Sequence, residues 1–177
     1  MIKGKDVLGG RAGGMPEMVF EYILEKNGID PAVDLKIDQS IDFGSTAAAF
    51  SGGAGDFTVE FEPHATALEE KGEGYVVASL GEDSGYVPYT SFSARKSYLE
   101  KNKDVVKAFT RALQKGMDYV QSHSPEEIAK VIAPQFAETE LETLTTIVKR
   151  YYDQDTWKEN LIFEKDAFDL LQNILDD

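Results

Sequence analysis

Residues 6–27 constrain the fold more than any other stretch, because they combine a strand, a glycine turn and a helix in direct succession. The strand is the short apolar run Val7-Leu8. The turn contains Gly9, Gly10, Gly13 and Gly14. The apolar positions that follow recur with helical spacing and define one face: Met15, Met18, Val19, Tyr22 and Ile23. This order predicts a β-to-α unit, the building block of parallel sheets with helices on their faces.

The glycine turn is also a candidate binding loop. Glycines allow positive φ and close approach of a ligand, and the start of a helix offers unpaired N–H groups to an anion or a polar oxygen. Arg11 stands inside the turn. The spacing is neither the G-x-G-x-x-G of dinucleotide-binding folds nor the G-K-S/T ending of a phosphate-binding P-loop. A tight turn without any ligand remains the alternative interpretation.

Charge and composition exclude several classes of protein. The chain of 177 residues has a formal net charge of −14, which argues against nucleic acid and anionic membrane surfaces as partners. It has no cysteine, so disulfides, thiolate catalysis and Cys-ligated zinc are excluded. No apolar run approaches the length of a membrane-spanning helix, and residues 1–7 contain no apolar signal core.

The first 80 residues are predicted to follow a β-α-β-α-β-α-β order, and hence to form a mostly parallel α/β sheet. Further strands are predicted over Val33–Ile37, Phe57–Phe61 and Tyr75–Leu80. Ligands of such folds bind at the carboxyl ends of the strands. Those ends are predicted at Gly9–Gly14, Asp38–Ser45, Phe61–Pro63 and Gly81–Gly85.

The character of the chain changes near residue 87, after which helical patterns dominate. Helices are predicted over Ser97–Lys101, Lys103–Ser122, about 125–133, Glu138–Tyr152 and Glu164–Leu175. Ser124-Pro125-Glu126-Glu127 forms a capping-box pattern at the start of the third of these helices. The apolar stripes of these helices must be buried against something. They could form a bundle, or they could cover a sheet that this chain does not contain.

A resemblance to a known family rests on an ordered series of segments. These are IKGKDVLGGRAGGMPEMVFEYILEKNGIDP, DFGSTAAAFSGGAGDFTVEFEP, GYVVASL and VPYTSFSARKSYLEKNKDVVKAFTRALQKGMDYV. The series resembles the solute-binding proteins of ABC importers, in the group named for nitrate, sulfonate, taurine and bicarbonate uptake. That group also contains binders of thiamine-pyrimidine precursors.

The resemblance implies a type II periplasmic-binding-protein fold, in which two α/β lobes close on a ligand. Residues 1–86 would be the second, ligand-binding lobe, and residues 87–94 the crossover hinge strand. Residues 95–177 would be the helical return segment of the first lobe, whose N-terminal part is missing from this sequence. The helices would then expose apolar surface and dimerise, swap, or fold back on the α/β lobe.

The resemblance also assigns ligand-binding and hinge positions. Two helix starts would face the ligand, and two carboxylates would lie where a strand meets the cleft. The ligand-binding residues are Gly13, Gly14, Met15, Ser45, Thr46, Glu60 and Glu62. The hinge residues are Val87, Pro88 and Tyr89. Glu60 and Glu62 are predicted to share one face of a strand, where they suit N–H donors or a cation.

The resemblance implies that the chain binds a small polar nutrient, such as a sulfonate, a nitrate-like anion or a pyrimidine vitamin precursor. The partner would be an ABC permease in the membrane. The full-length protein would be extracytoplasmic, either periplasmic or anchored as a lipoprotein. No catalytic residue, metal or cofactor is expected. Two alternatives remain: a thiamine-pyrimidine-synthesis-type enzyme, which normally has a cysteine-rich iron motif, and a ligand-sensing or interaction module.

The other chemically notable side chains give little support to catalysis. His64 and His123 lack metal-ligand partners at the H-x-x-x-H or H-E-x-x-H spacing, so surface or capping roles are expected for them. Trp157, the one tryptophan of the sequence, is expected to anchor the helical segment.

Overall fold

The computed structural model describes residues 2–176 and divides them into two compact units. The first unit comprises residues 2–87 together with 169–176, and the second comprises residues 88–168. Each unit has its own cluster of buried apolar side chains. The two units are therefore described separately.

The first unit contains three short strands and four helices up to residue 87. It also includes the C-terminal end of the last described helix. The strands are β1 (Asp6–Leu8), β2 (Lys36–Asp38) and β3 (Phe57–Thr58). The helices are α1 (Met15–Lys26), α2 (Thr46–Ser51), α3 (His64–Glu70) and α4 (Leu80–Ser84). A 3₁₀ turn, Phe43–Ser45, leads directly into α2.

The three strands form a parallel sheet in the order β2-β1-β3. Val7 of the central strand pairs with Ile37 on one side and with Phe57 on the other. The buried core of this unit comprises Val7 of the central strand, Phe20 and Leu24 of α1, Leu35 just before β2 and Val59 just after β3. The predicted mixed α/β architecture with a parallel sheet is confirmed for these strands.

The second strand begins later than predicted, because the first residues of the predicted strand belong to a turn. The Asp30 carboxylate accepts hydrogen bonds from the backbone N–H groups of Ala32 and Val33, at 2.9 and 3.2 Å. This is an Asx-type turn, which competes with strand pairing. Val33 is 79% exposed as a result. The prediction of a strand over Val33–Ile37 was thus wrong at its start.

The predicted strand over Tyr75–Leu80 was wrong. Residues 74–79 are irregular, and Leu80 begins helix α4 instead. The backbone N–H of Val76 donates to the Glu69 carboxylate at 2.8 Å, so a side chain of α3 uses a group that strand pairing would need. Residues 81–85 therefore do not follow a strand, and α4 packs against α1.

The second unit is built from helices. They are α5 (Lys96–Lys101), α6 (Lys103–Ser122), α7 (Pro125–Ile132), α8 (Leu141–Asp153) and the start of α9 (Lys165–Asp176). A 3₁₀ turn, Ala133–Gln135, closes α7. Every helix predicted for this region is present, with ends shifted by three residues or fewer.

The second unit has its core between α7 and α8. The side chains buried there are Ile128, Ala129, Leu144 and Val148. Trp157 packs against this cluster, in agreement with its expected anchoring role. The predicted capping box is confirmed: Glu127 N–H donates to Ser124 Oγ at 3.3 Å, and Ser124 N–H donates to the Glu127 carboxylate at 3.0 Å.

Helix α6 keeps its apolar stripe partly open to solvent. None of its residues is fully buried, although its apolar positions follow helical spacing. Phe109 is 47% exposed and Val105 is 57% exposed. Dimerisation or domain swapping through such helices stays a prediction.

The boundary between the two units falls between Val87 and Pro88. Both residues are half-buried, whereas Tyr89 is 56% exposed, and this stretch has no regular secondary structure. The assignment of Val87, Pro88 and Tyr89 as a hinge stays a prediction.

Candidate ligand-binding site

The carboxyl ends of the three parallel strands lie at one edge of the sheet, because parallel strands share a direction. Each strand there runs into a polar or glycine-rich connection. These connections are residues 9–14 after β1, 39–45 after β2 and 59–63 after β3. Crevices at this edge are the usual binding sites of open α/β sheets, so we call it the carboxyl edge.

Phe43 links the three connections. An added Cβ on Gly10 would lie 2.5 Å from Phe43 Cδ2, so the glycine allows the ring to pack directly on the loop backbone. The ring also packs against Phe61, with 4.8 Å between ring centroids. Gly10 also has a φ of +79°, which favours glycine. Sequence reasoning singled out the glycines but missed the aromatic ring that they accommodate.

The start of α1 is occupied by a carboxylate of the chain itself. Glu17 lies in the first turn of α1 and is only 4% exposed. It accepts hydrogen bonds from the backbone N–H of Gly13, at 3.1 Å, and from the side-chain amide of Gln39. The negative side chain thereby neutralises the positive end of the helix dipole. Sequence reasoning did not predict these contacts.

The predicted site residues of this loop differ in what they offer. Gly13 is exposed, with its N–H directed to Glu17. The Gly14 N–H donates to the Arg11 carbonyl at 3.0 Å, and Met15 is half-buried at the first position of α1. Arg11 is exposed.

Glu21 lies one helical turn after Glu17 on α1. Burial, together with the negative charge of Glu17, raises the pKa of Glu21 to about 7 from its ordinary 4.5, and Glu25 adds to the effect. The ionised form of Glu21 is therefore disfavoured in the folded protein.

We expect the stability of the protein to depend on Glu21 between pH 4.5 and about 7. Because the folded-state pKa is raised, the stabilising effect of protonated Glu21 is present below pH 4.5 and is lost as the pH rises towards 7. Glu21→Gln should therefore gain stability relative to the wild type between pH 5 and 8. We expect about 1 kcal/mol after discounting for solvent screening.

Urea unfolding of the wild type and of Glu21→Gln at pH 5 and at pH 8 measures this effect. Glu138→Gln removes one exposed carboxylate from the second unit and serves as the matched control. Parallel pH profiles for all three proteins would contradict the raised pKa.

Ser45 and Thr46 begin the helix that follows β2. Thr46 is fully buried, and its hydroxyl donates to the Phe43 carbonyl at 2.9 Å. That bond fixes the turn that carries Phe43. Ser45 is exposed and occupies the N-cap position of α2 without a side-chain capping bond.

Glu60 and Glu62 lie beyond the end of β3 rather than within a strand, because β3 ends at Thr58. Glu62 Oε2 and Oε1 accept hydrogen bonds from the backbone N–H and hydroxyl of Thr66, both at 3.0 Å, and so cover the start of α3. Glu60 Oε1 accepts a hydrogen bond from the Thr58 hydroxyl at 2.8 Å. The two carboxylates therefore have separate partners.

The second carboxylate oxygen of Glu60 is in a different environment. The Glu60 side chain is 4% exposed, and its Oε2 is buried without a hydrogen-bond partner within residues 2–176. The imidazole Nδ1 of His64 lies 3.8 Å from this oxygen, beyond hydrogen-bonding distance, and the His64 side chain is 48% exposed. This buried carboxylate oxygen is the most unusual polar group at the carboxyl edge.

Residues 2–176 contain neither a metal-binding cluster nor a membrane-spanning helix. No cluster of three or more His, Cys, Asp or Glu side chains in this range could hold a metal ion. Among the same residues, no helix combines the length and the apolar character needed to cross a membrane.

Comparison with known proteins identifies the family. The model of the NMT1-like family matches residues 7–134, which include the whole carboxyl edge. The chain belongs to the NMT1-like family. This confirms the resemblance to the solute-binding proteins of ABC importers in the nitrate, sulfonate and taurine group.

A Bacillus subtilis (strain 168) protein named "Putative binding protein YtlA" is 43% identical over 175 residues. The match covers 99% of this NMT1-like chain and 52% of the relative. The chain thus spans about half the length of the curated relative that it matches.

Proposed function

We propose that this NMT1-like chain is the ligand-binding part of an extracytoplasmic solute-binding protein of an ABC importer. The observation that carries the proposal is the convergence of three loops at the carboxyl edge, where a buried carboxylate oxygen has no hydrogen-bond partner among the described residues. Family membership and the name of the Bacillus relative support a binding role.

The proposed architecture is the type II periplasmic-binding-protein fold, with residues up to 86 as one lobe and the hinge at Val87–Tyr89. The proposed ligand-binding residues surround the carboxyl edge: Gly13, Gly14, Met15, Ser45, Thr46, Glu60 and Glu62. Gly13 and Ser45 are exposed there, whereas Thr46 supports the turn from within. The ligand is a small polar nutrient, and the full-length protein is periplasmic or anchored as a lipoprotein.

The protein delivers this nutrient to an ABC permease and performs no chemistry on it. The enzyme of the pyrimidine-synthesis type is disfavoured because it would use cysteine ligands, and this sequence has none. A sensing module would share the binding site and differ only in its partner.

A thermal-shift screen tests the proposal. The panel contains taurine, alkanesulfonates, nitrate, bicarbonate, thiamine and its pyrimidine precursors. A compound that binds only the folded protein should raise its stability by about 2.7 kcal/mol at a concentration of 100 times Kd. The bound compound should be recovered unchanged, as mass spectrometry can verify. If no compound of the panel raised the melting temperature, the result would count against solute binding by this chain. Recovery of a chemically altered compound would favour the enzyme.

A further inference from the structure

We infer that the ligand presents a cationic N–H group to Glu60 Oε2, and that the carboxyl edge selects against simple anions. The inference rests on the proposed function and narrows its ligand from any small polar nutrient to an ammonium or amidinium compound.

The start of α1, where folds of this kind usually bind an anion, is already occupied by a side chain of the protein. An anion at the start of α1 would use the N–H groups of the glycine loop and the positive end of the helix dipole. Glu17 takes the Gly13 N–H at 3.1 Å and places a buried negative charge at that position. A nitrate or sulfonate ion would have to displace this carboxylate or lie beside it, and both arrangements are unfavourable.

Glu60 offers the opposite chemistry. A buried carboxylate oxygen without a hydrogen bond is costly, and buried polar groups in folded proteins nearly always have a partner. Oε1 of Glu60 is held by Thr58, so the carboxylate is oriented, while Oε2 is buried without a hydrogen bond among the described residues. A charged N–H donor would satisfy Oε2 with a strong, charge-assisted hydrogen bond.

The surroundings of Glu60 fit this class of ligand. His64 Nδ1 lies 3.8 Å from Oε2 and about half of the His64 side chain is in solvent, so a ligand would reach Oε2 by displacing this imidazole. The net charge of −14 favours the approach of cations over anions to the protein in general.

Titration with simple probe ions tests the inference. Acetamidinium chloride and methylammonium chloride are the cationic probes, and sodium nitrate and sodium methanesulfonate the anionic ones, all at matched ionic strength. We expect saturable changes in the amide NMR signals of residues 58–62 and 64 with acetamidinium and none with the anions. Glu60→Gln should weaken acetamidinium binding about tenfold or more, whereas Glu25→Gln, an exposed carboxylate change on α1, should leave it unchanged.

The ligand-free stability of Glu60→Gln gives a second readout. The substitution removes a buried negative charge that lacks a hydrogen bond at Oε2, so the melting temperature should stay the same or rise while binding is weakened. A purely structural Glu60 would show a fall in melting temperature instead.

No saturable response to acetamidinium, or an equal response in Glu60→Gln, would overturn the inference. Saturable binding of nitrate or methanesulfonate would overturn it as well and would leave the proposed function standing. The proposed function fails separately, if no compound of the thermal-shift panel raises the melting temperature.

Discussion

Gly10→Ala should destabilise the α/β unit by about 2–5 kcal/mol. The residue has a φ of +79°, and an L side chain there costs about 1–2 kcal/mol. The new methyl group would also lie 2.5 Å from Phe43 Cδ2 and 3.1 Å from Cε2. Overpacking of this kind adds about 1–3 kcal/mol. Urea unfolding followed by far-UV circular dichroism measures the loss.

Gly13→Ala is the matched control for the same loop. Gly13 has a φ of +68°, but an added Cβ there would meet no atom within 4 Å. It should therefore lose only the backbone contribution of about 1–2 kcal/mol. The difference between the two variants isolates the contact between the loop and Phe43. Equal losses would mean that the Phe43 ring swings away freely and does not hold the three connections together.

The same loop illustrates what the sequence can and cannot predict about the site. Glycine spacing after an apolar run is a local signal, and it correctly placed a turn between β1 and α1. The contacts of Gly10 and Glu17 are made to Phe43 and Gln39, which stand more than twenty residues further along the chain. Such contacts follow from the parallel pairing of β1 and β2, and no local pattern encodes them.

The errors in the strands have a related cause. Helices were predicted well because their periodicity extends over many residues, as in α6. The strands are two or three residues long, and single side chains decide where they begin. The Asp30 carboxylate binds the backbone of residues 32 and 33, and the Glu69 carboxylate binds the Val76 N–H, so both apolar runs lose groups that pairing would use.

Glu60 stands between these two cases. The alternation in FTVEFE places Thr58 and Glu60 on the same side, and their side chains do form a hydrogen bond. The pattern could not show that Oε2 would be left without a partner, because this depends on how His64 is placed by α3. The pairing of Thr58 with Glu60 was thus predictable from the sequence, whereas the missing hydrogen bond at Oε2 is visible only in the three-dimensional arrangement.

Leu144→Ala should destabilise the helical unit by about 2–5 kcal/mol. Leu144 is 2% exposed and belongs to a small cluster with Ile128, Ala129 and Val148. Truncation removes apolar contacts and leaves a cavity between α7 and α8, and a cluster of this size has few other side chains to compensate. Trp157 packs against the cluster, and as the one tryptophan of the sequence it reports unfolding of this unit through its fluorescence.

Leu141→Ala makes the same chemical change three residues earlier on α8. Leu141 is 43% exposed, so its truncation should cost about 1 kcal/mol or less. A gap of at least 1 kcal/mol between the two variants in urea unfolding would assign the stability of this unit to the α7–α8 cluster. If both variants lost the same stability, Leu144 would not be a core residue, and the unit would have to be stabilised by contacts elsewhere, such as those of the half-exposed stripe on α6.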